Sequence, residues 1–232
     1  MMKYNRILIV AAHPDDEVLF CGGTVRKLTK QGHEVNLIIA TNGMESRKNI
    51  LKNDEIIKGQ SILKKSTKLS AKILGIKNIE YCNFPDQYLD TIPIIEITQK
   101  IEQLIFKFKP NIIFTHHGGD LNLDHRLLHQ AVLTATRPLP HSIVNKIYVG
   151  ETLSSTEFTS QHTTKPFLPD TFFDIEETLS SKIKALKAYK IEMRNFPHSR
   201  SYKAVEHLAK LRGSMVGLRA AEAFITLRNI KR

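Results

Sequence analysis

A chain of 232 residues with 41% hydrophobic content is long enough to bury a sizeable core and is expected to form one large domain over residues 1–232. Its formal charge of +11 favours anionic partners or marks a lysine-rich solvated surface, and no block of consecutive basic residues chooses between the two. Two cysteines, Cys21 and Cys82, outside any CxxC pair argue against a disulfide framework or a cysteine zinc site. No segment reaches the apolar length that spans a bilayer, and the N-terminus offers no convincing cleavage site, so a soluble cytoplasmic protein is expected, one that could still sit against a membrane to reach a lipid-linked substrate.

Ile7, Leu8, Ile9 and Val10 form a consecutive apolar run, predicting a buried strand over residues 6–11 that ends abruptly in His13, Pro14, Asp15, Asp16 and Glu17. Gly22 and Gly23 precede a helix predicted over 24–31 and stopped by Gly32; a second buried strand follows over 35–40, leading into Thr41, Asn42 and Gly43. This is a βαβ unit. Such units join parallel strands right-handedly, and open α/β sheets bind ligands beyond the carboxyl ends of their strands, which puts residues 13–16 and 41–47 on one functional rim. A helix over 61–74 is closed by Gly75, a short strand spans 78–84, and Pro85-Asp86 opens a loop. The stripe of Ile94, Ile97, Ile101, Leu104, Ile105 and Phe108, ended by Pro110, predicts an amphipathic helix over 94–108. A strand over 111–115 then runs into His116, His117, Gly118, Gly119 and Asp120, with a helix over 126–136 after His125. Further on, a strand over 146–150 leads into Glu151 and a Ser/Thr-rich loop through Thr164, readable as a rim loop, a local β insertion or a linker. A strand over 172–175 and a helix over 178–193 follow, the helix broken by NFPHSRS at 195–201. Two more helices are predicted over 202–212 and 220–228, and there is no internal repeat.

The chemistry is concentrated in two polar clusters at strand ends. His13 and Asp16 are separated by Pro14 and Asp15, so a tight turn can aim both side chains at one point while Asp15 points elsewhere. That arrangement suits two ligands of a divalent ion, zinc above all, with an acid beside it to handle protons. A catalytic zinc takes three protein ligands and keeps a position for water, and the second cluster, HHGGDLNLDH at 116–125, is the source of the third. An isolated HxxD is more often a capped helix or a solvated loop; its place in a strand-end motif, paired with a second His/Asp cluster, favours the metal.

The order AAHPDDE, GGT, a Gly-His helix end, TNG, an LGI helix terminus and THHGGDLNLDH, closed by Arg212-Gly213 and the AEAF of 221–224, resembles the zinc-dependent N-acetylglucosaminyl deacetylases, known as PIG-L or LmbE-like deacetylases. The resemblance covers nearly the whole chain and implies that His13, Asp16 and His125 bind zinc. It also implies that Asp15 is the general base, returning its proton to the leaving amine. One departure stands out: many members read HPDH where this chain has Asn122, Leu123, Asp124 and His125. The Asn122 amide could donate to the oxyanion in place of that histidine, or His116, His117 or His198 could come close in the fold. Asp124 either orients a donor or ligand or caps the helix after it. Asp120 reads as a loop-shaping residue or a substrate contact, and Arg47 as a grip on a substrate phosphate or hydroxyl or an exposed loop arginine. Glu151 and His198 are rim candidates, and Glu17 supports the ligands or caps the following helix.

The expected fold is therefore α/β, a Rossmann-like three-layer sandwich with a mostly parallel central sheet and its active site at the carboxyl ends of the strands. The expected activity is zinc-dependent removal of acetyl from an N-acetylated amino sugar, whether a free glycoside, a nucleotide-linked or a lipid-linked glycan. A homo-oligomer is admitted, and no nucleic-acid partner is expected, because no aromatic-bearing recognition motif appears. Two alternatives are an amide hydrolase acting on a non-sugar conjugate and a non-catalytic basic module binding a nucleotide; against the latter, the chain has neither GxGxxG nor GKS.

Overall fold

The computed structural model describes residues 4–140, 142–160 and 165–231. Its seven strands are β1 (Arg6–Ala11), β2 (Glu34–Thr41), β3 (Asn78–Phe84), β4 (Ile112–His116), β5 (Lys146–Gly150), β6 (Thr171–Asp174) and β7 (Ala221–Asn229). The helices are α1 (Asp16–Lys30), α2 (Asn53–Leu74), α3 (Ile94–Phe108), α4 (Leu123–Ala135), α5 (Leu179–Leu186) and α6 (Tyr202–Ser214). The strands form one sheet in the order β3-β2-β1-β4-β5-β7-β6, in which the first five are parallel and β7 runs antiparallel to both neighbours.

Because successive side chains of a strand point to opposite faces, the unbroken apolar run of β1 supplies two cores at once. Ile7, Ile9 and Ala11 pack with Val18 and Val25 of α1, Leu63 and Leu74 of α2 and Leu186 of α5. Leu8, Val10 and Ala12 face the other way, onto Ile97, Ile101 and Leu104 of α3 and Leu128 and Val132 of α4. The sandwich thus has the three layers expected. The chain builds outward from β1 to β3, then returns to lay β4 against the other side of β1. The order reverses there, so the loops after β1 and β4 part and leave a crevice at the carboxyl ends of both strands.

Several expectations are corrected. The first helix starts at Asp16, eight residues before the predicted Thr24, so Gly22 and Gly23 lie inside it. A Cβ on Gly23 would come within 2.8 Å of Ile175, so close packing of the chain against the helix requires the glycine and outweighs its poor helix propensity. The second helix starts at Asn53 rather than Ser61, with the Glu55 carboxylate accepting from the Lys52 N–H at 2.8 Å. The fifth is shorter than predicted, ending at Leu186 and continuing only as a 3-10 turn to Tyr189. Residues 220–228 are not a helix. Ala, Glu, Leu and Arg there favour helix locally, but the segment is strand β7, paired with β5 and β6 over residues 221–229, and those partners lie tens of residues away. In the Ser/Thr-rich loop, Thr152, Ser155, Thr156 and Thr159 are buried while Glu157 and Phe158 are exposed; residues 161–164 lie outside the described residues.

β7 also supports α1. Glu222 accepts from the α1 amides of Gly23 at 2.9 Å and Thr24 at 2.7 Å, while Lys182 donates to Glu222 at 2.6 Å and to the Leu19 carbonyl at 2.8 Å. Both side chains are buried. Removing one partner strands the other in the core, so Glu222→Ala is expected to destabilise the fold by about 3–5 kcal/mol. A lowered urea midpoint at unchanged slope is the readout; a loss below about 1 kcal/mol would mean that the pair is solvated and contributes as an exposed one does.

Candidate active site

At the tip of β1 the backbone makes a tight turn in which Asp15 adopts φ 109° and ψ −26°, a left-handed conformation costly for a residue with a Cβ. Its carbonyl accepts from Val18 and Leu19, each at 3.0 Å, and its N–H donates to the Glu17 carboxylate at 3.1 Å. Asp16 then opens α1, its carboxylate at the positive end of the helix dipole. Beyond the tip of β4, residues 117–122 form a loop before α4, whose first turn carries Asp124 and His125.

The two tips meet. His13 Nδ1 lies 3.1 Å from Asp16 Oδ2 and 3.2 Å from His125 Nε2, and His125 Nε2 lies 3.2 Å from Asp16 Oδ2. Bonds of about 2.0–2.1 Å in a tetrahedral zinc site set donor atoms about 3.3 Å apart, so the triangle has the spacing of three ligands around one ion. A second observation agrees: Asp16 Oδ1 is buried with no hydrogen-bond partner, an orphan that a cation would satisfy. His13, Asp16 and His125 could therefore hold a divalent metal.

Each histidine is held from behind. His13 Nε2 lies 3.0 Å from Asp124 Oδ2 and 3.4 Å from Asp86 Oδ1. His125 Nδ1 lies 3.2 Å from Asp120 Oδ1. Carboxylates at the far nitrogens fix ring orientation and make the near nitrogens better donors to a metal. Asp124 does not cap α4: Asn122 does, its Oδ1 accepting from the Asp124 N–H at 2.9 Å. Asp124 instead ties down the 85–91 loop by accepting from Gln87 N at 2.8 Å and Leu89 N at 3.1 Å. Asp120 is fully buried, bonded to the Ser155 and Thr156 hydroxyls and the Asn122 N–H, so a direct substrate contact by Asp120 gives way to a role in shaping the loop and backing His125.

Burial sets the electrostatics. It pushes the Asp15 carboxyl well above its ordinary value, against the pull of Arg200. It works the same way on Asp16, but His125 and His116 outweigh it and hold Asp16 well below. Burial raises Glu17 to about 7 in spite of its 2.6 Å bond from Tyr189, and lowers His116 to about 3 with His125 beside it. Asp120, despite burial, is brought down to about 2 by His125 and the two hydroxyls.

A cavity of about 150 Å³ reaches the triangle at His13 and is bounded also by Asp15, Arg47, Asp86, Asn122 and Arg200. Because the Asn122 Oδ1 is engaged by its helix, its amide NH₂ is the half left for the cavity. Arg47 lines the cavity but donates to Glu192 at 2.7 Å, so it is not a free cation. His116 does come close, stacked on His125 with ring centroids 3.8 Å apart, yet its Nε2 accepts from the Ala12 N–H at 2.9 Å and is no donor to the site. His117 turns to the Lys165 carbonyl, and His198 accepts from Arg200 N within its own loop. Glu151 pairs with Arg212 at 2.6 Å. Sequence reasoning missed Asp86, Gln87, Glu192 and Arg200. Asp86 sat in a loop already marked by Pro85; the others carry no local signal, and Arg200 reaches Asp15 across 185 positions.

Fold and site together define a Rossmann-like α/β protein with a candidate mononuclear metal centre at the switch point of its sheet. Residues 8–136 match the model of the PIG-L, or GlcNAc-PI de-N-acetylase, family, and the chain belongs to that family. It is 31% identical over 192 residues to the probable N-acetyl-alpha-D-glucosaminyl L-malate deacetylase 2 of Bacillus cereus, covering 80% of this chain and 83% of that protein. Among solved structures it resembles the N,N'-diacetylchitobiose deacetylase from Pyrococcus horikoshii, with a TM-score of 0.75 at 21% identity over 96% of this chain and 83% of that one. It also resembles the 4-carboxy-2-hydroxymuconate hydratase from Pseudomonas putida, with a TM-score of 0.73 at 17% identity over 97% of each chain. Both likenesses concern the fold alone.

Asp124→Ala removes the acceptor behind His13 and frees the 87–89 backbone. Metal affinity, measured by competition with a chromophoric chelator, is expected to weaken on the order of 10- to 100-fold. An affinity equal to wild type would show that Asp124 supports the loop and not the ligand.

Proposed function

We propose that the protein is a zinc-dependent hydrolase that removes the N-acetyl group from an N-acetylglucosamine-type amino sugar or glycoconjugate, releasing acetate and a free amine. The observation that carries this reading is the triangle of His13 Nδ1, Asp16 Oδ2 and His125 Nε2, with edges of 3.1, 3.2 and 3.2 Å, beside a cavity that both His13 and the buried Asp15 line. Bound there, zinc supplies Lewis acidity, making water nucleophilic near neutral pH and polarising a carbonyl oxygen.

The chain's own residues do the rest. Asp15, at the cavity wall, accepts the proton of the attacking water and delivers it to the leaving nitrogen, so that water and amide give acetate and amine in balance. The Asn122 amide, at the cavity wall, donates to the negative charge that develops on the acetyl oxygen, a role that a neutral side-chain amide fills in other hydrolases. Asp120 and Asp124 keep both imidazoles aimed. The two arginines at the cavity are each engaged by a carboxylate, Arg47 by Glu192 and Arg200 by Asp15, which supports an uncharged sugar ring near the reacting bond. Among the described residues no helix is long and apolar enough to cross a membrane, and Cys21 and Cys82 are free thiols, in keeping with a cytoplasmic enzyme. The name of the Bacillus relative supports a small N-acetylglucosaminyl conjugate as substrate.

The fold also serves a hydratase, so architecture alone does not select the reaction. Acetate release does. Zinc-loaded protein is expected to release acetate from N-acetylated glycosides, a chelator to abolish it and added zinc to restore it. Zinc binding without acetate release from any N-acetyl sugar would turn the reading toward a non-sugar amide, a hydration or a binding module. Asp15→Asn is expected to retain stoichiometric metal and lose turnover by about 10²- to 10⁴-fold. Full activity in that variant would remove Asp15 from the reaction.

A further inference from the structure

Asp15 has little freedom left in its backbone. Its carbonyl holds the Val18 and Leu19 amides, its N–H is held by Glu17, and its φ of 109° is locked by those bonds. Only the side chain can move, and among the described residues its one hydrogen-bonding partner is Arg200, whose Nη1 donates to Oδ2 at 3.2 Å. Arg200 is itself tethered. Its Nε donates to Ser154 Oγ at 2.9 Å, its N–H to His198 Nδ1 at 2.9 Å, and its carbonyl accepts from Arg194 N at 3.0 Å. The same Nη1 lies 3.8 Å from Glu192, which Arg47 grips at 2.7 Å. Arg47, Glu192, Arg200 and Asp15 thus form a chain of alternating charge along the cavity wall, joining the loop after β2 to the segment between α5 and α6.

We propose that Arg200 is a positioning residue for the proposed deacetylation, holding the Asp15 carboxylate toward the cavity, with Glu192 and Arg47 bracing Arg200 from the far side. The inference rests on the assignment of Asp15 as the proton-handling group. It accounts for the bonds that fix Arg200 within the 195–201 loop: the planar guanidinium must arrive in one orientation to reach Oδ2 while Nε holds Ser154. A pair that served only to offset the burial of Asp15 would contribute to stability and leave turnover alone.

The test uses zinc-loaded Arg200→Met, Arg200→Lys and Glu192→Gln beside wild type and Asp15→Asn, with metal content, kcat, KM and unfolding midpoint recorded for each. Arg200→Met is expected to keep its zinc and its KM within about twofold and to lose kcat by about 10- to 100-fold, part of what a well-placed base supplies. Arg200→Lys should recover some of that loss, and Glu192→Gln should lose only severalfold, since Ser154 still holds the guanidinium. Turnover of Arg200→Met within about twofold of wild type, or a loss confined to KM or to zinc content, overturns the proposal. Should Arg200→Met fail to fold, wild-type kcat in both Arg200→Lys and Glu192→Gln overturns it equally. Absence of acetate release by wild type would instead sink the deacetylase reading. Arg200 is then judged from a crystal structure of the Arg200→Met or Arg200→Lys protein, where the Asp15 carboxylate is expected to move by about 1 Å, a displacement that costs a reaction on the order of a hundredfold. An unmoved carboxylate there refutes the positioning role by itself.

Discussion

The Asp16 carboxylate is the junction on which the site depends. Its Oδ2 lies 2.8 Å from the His13 N–H and 3.1 Å from the same residue's Nδ1, 3.2 Å from His125 Nε2 and 3.4 Å from His116 Nε2. One oxygen thereby gathers nitrogen atoms from the ends of β1 and β4, strands adjacent in the sheet but separated by two intervening βα units. It can do so because Asp16 is also the first residue of α1, where the helix dipole favours negative charge, and because His13 and His125, two of the three histidines that approach it, are backed by other acids. A buried carboxylate among imidazoles is tolerable only with such compensation.

The acids behind the ligands have more than one job, which couples the site to its surroundings. Asp124 stands behind His13 and at the same time anchors the loop carrying Asp86 and Gln87 to the cavity. Asp120 stands behind His125 and binds the hydroxyls of Ser155 and Thr156, fixing the loop after β5 that also presents Ser154 to Arg200. The groups that orient the metal ligands therefore also set the walls of the cavity. Ligand geometry and cavity shape depend on the same two carboxylates.

Much of the frame was legible because its signals are local. The stripe from Ile94 to Phe108 predicts α3 to the residue, and the apolar runs of β1 and β5 and the short segment before Pro85 that forms β3 predict those strands with their boundaries, since periodicity and turn residues act within a few positions. Where a distant partner decides, local reading fails. The residues of 221–229 favour helix, yet pairing with β5 and β6 makes them a strand that supplies Glu222 to α1. Gly22 and Gly23 read as a break before a helix, yet both lie within it, where the approach of Ile175 makes Gly23 a necessity.

The same division runs through the site. The sequence by itself determined which groups stand at the tips of β1 and β4, because a motif that ends an apolar strand in His-Pro-Asp-Asp-Glu admits few uses other than chemistry. That His13 presents Nδ1 to Asp16 and His125 while Nε2 turns to Asp124, that Asn122 spends its oxygen on its own helix, and that Arg200 reaches Asp15 were decided only by the tertiary structure. The physical reason is that side-chain direction and hydrogen-bond partnership depend on what packs alongside, and the partners that join His13 to His125 and Asp124, and Arg200 to Asp15, lie more than a hundred residues apart, brought together by the fold.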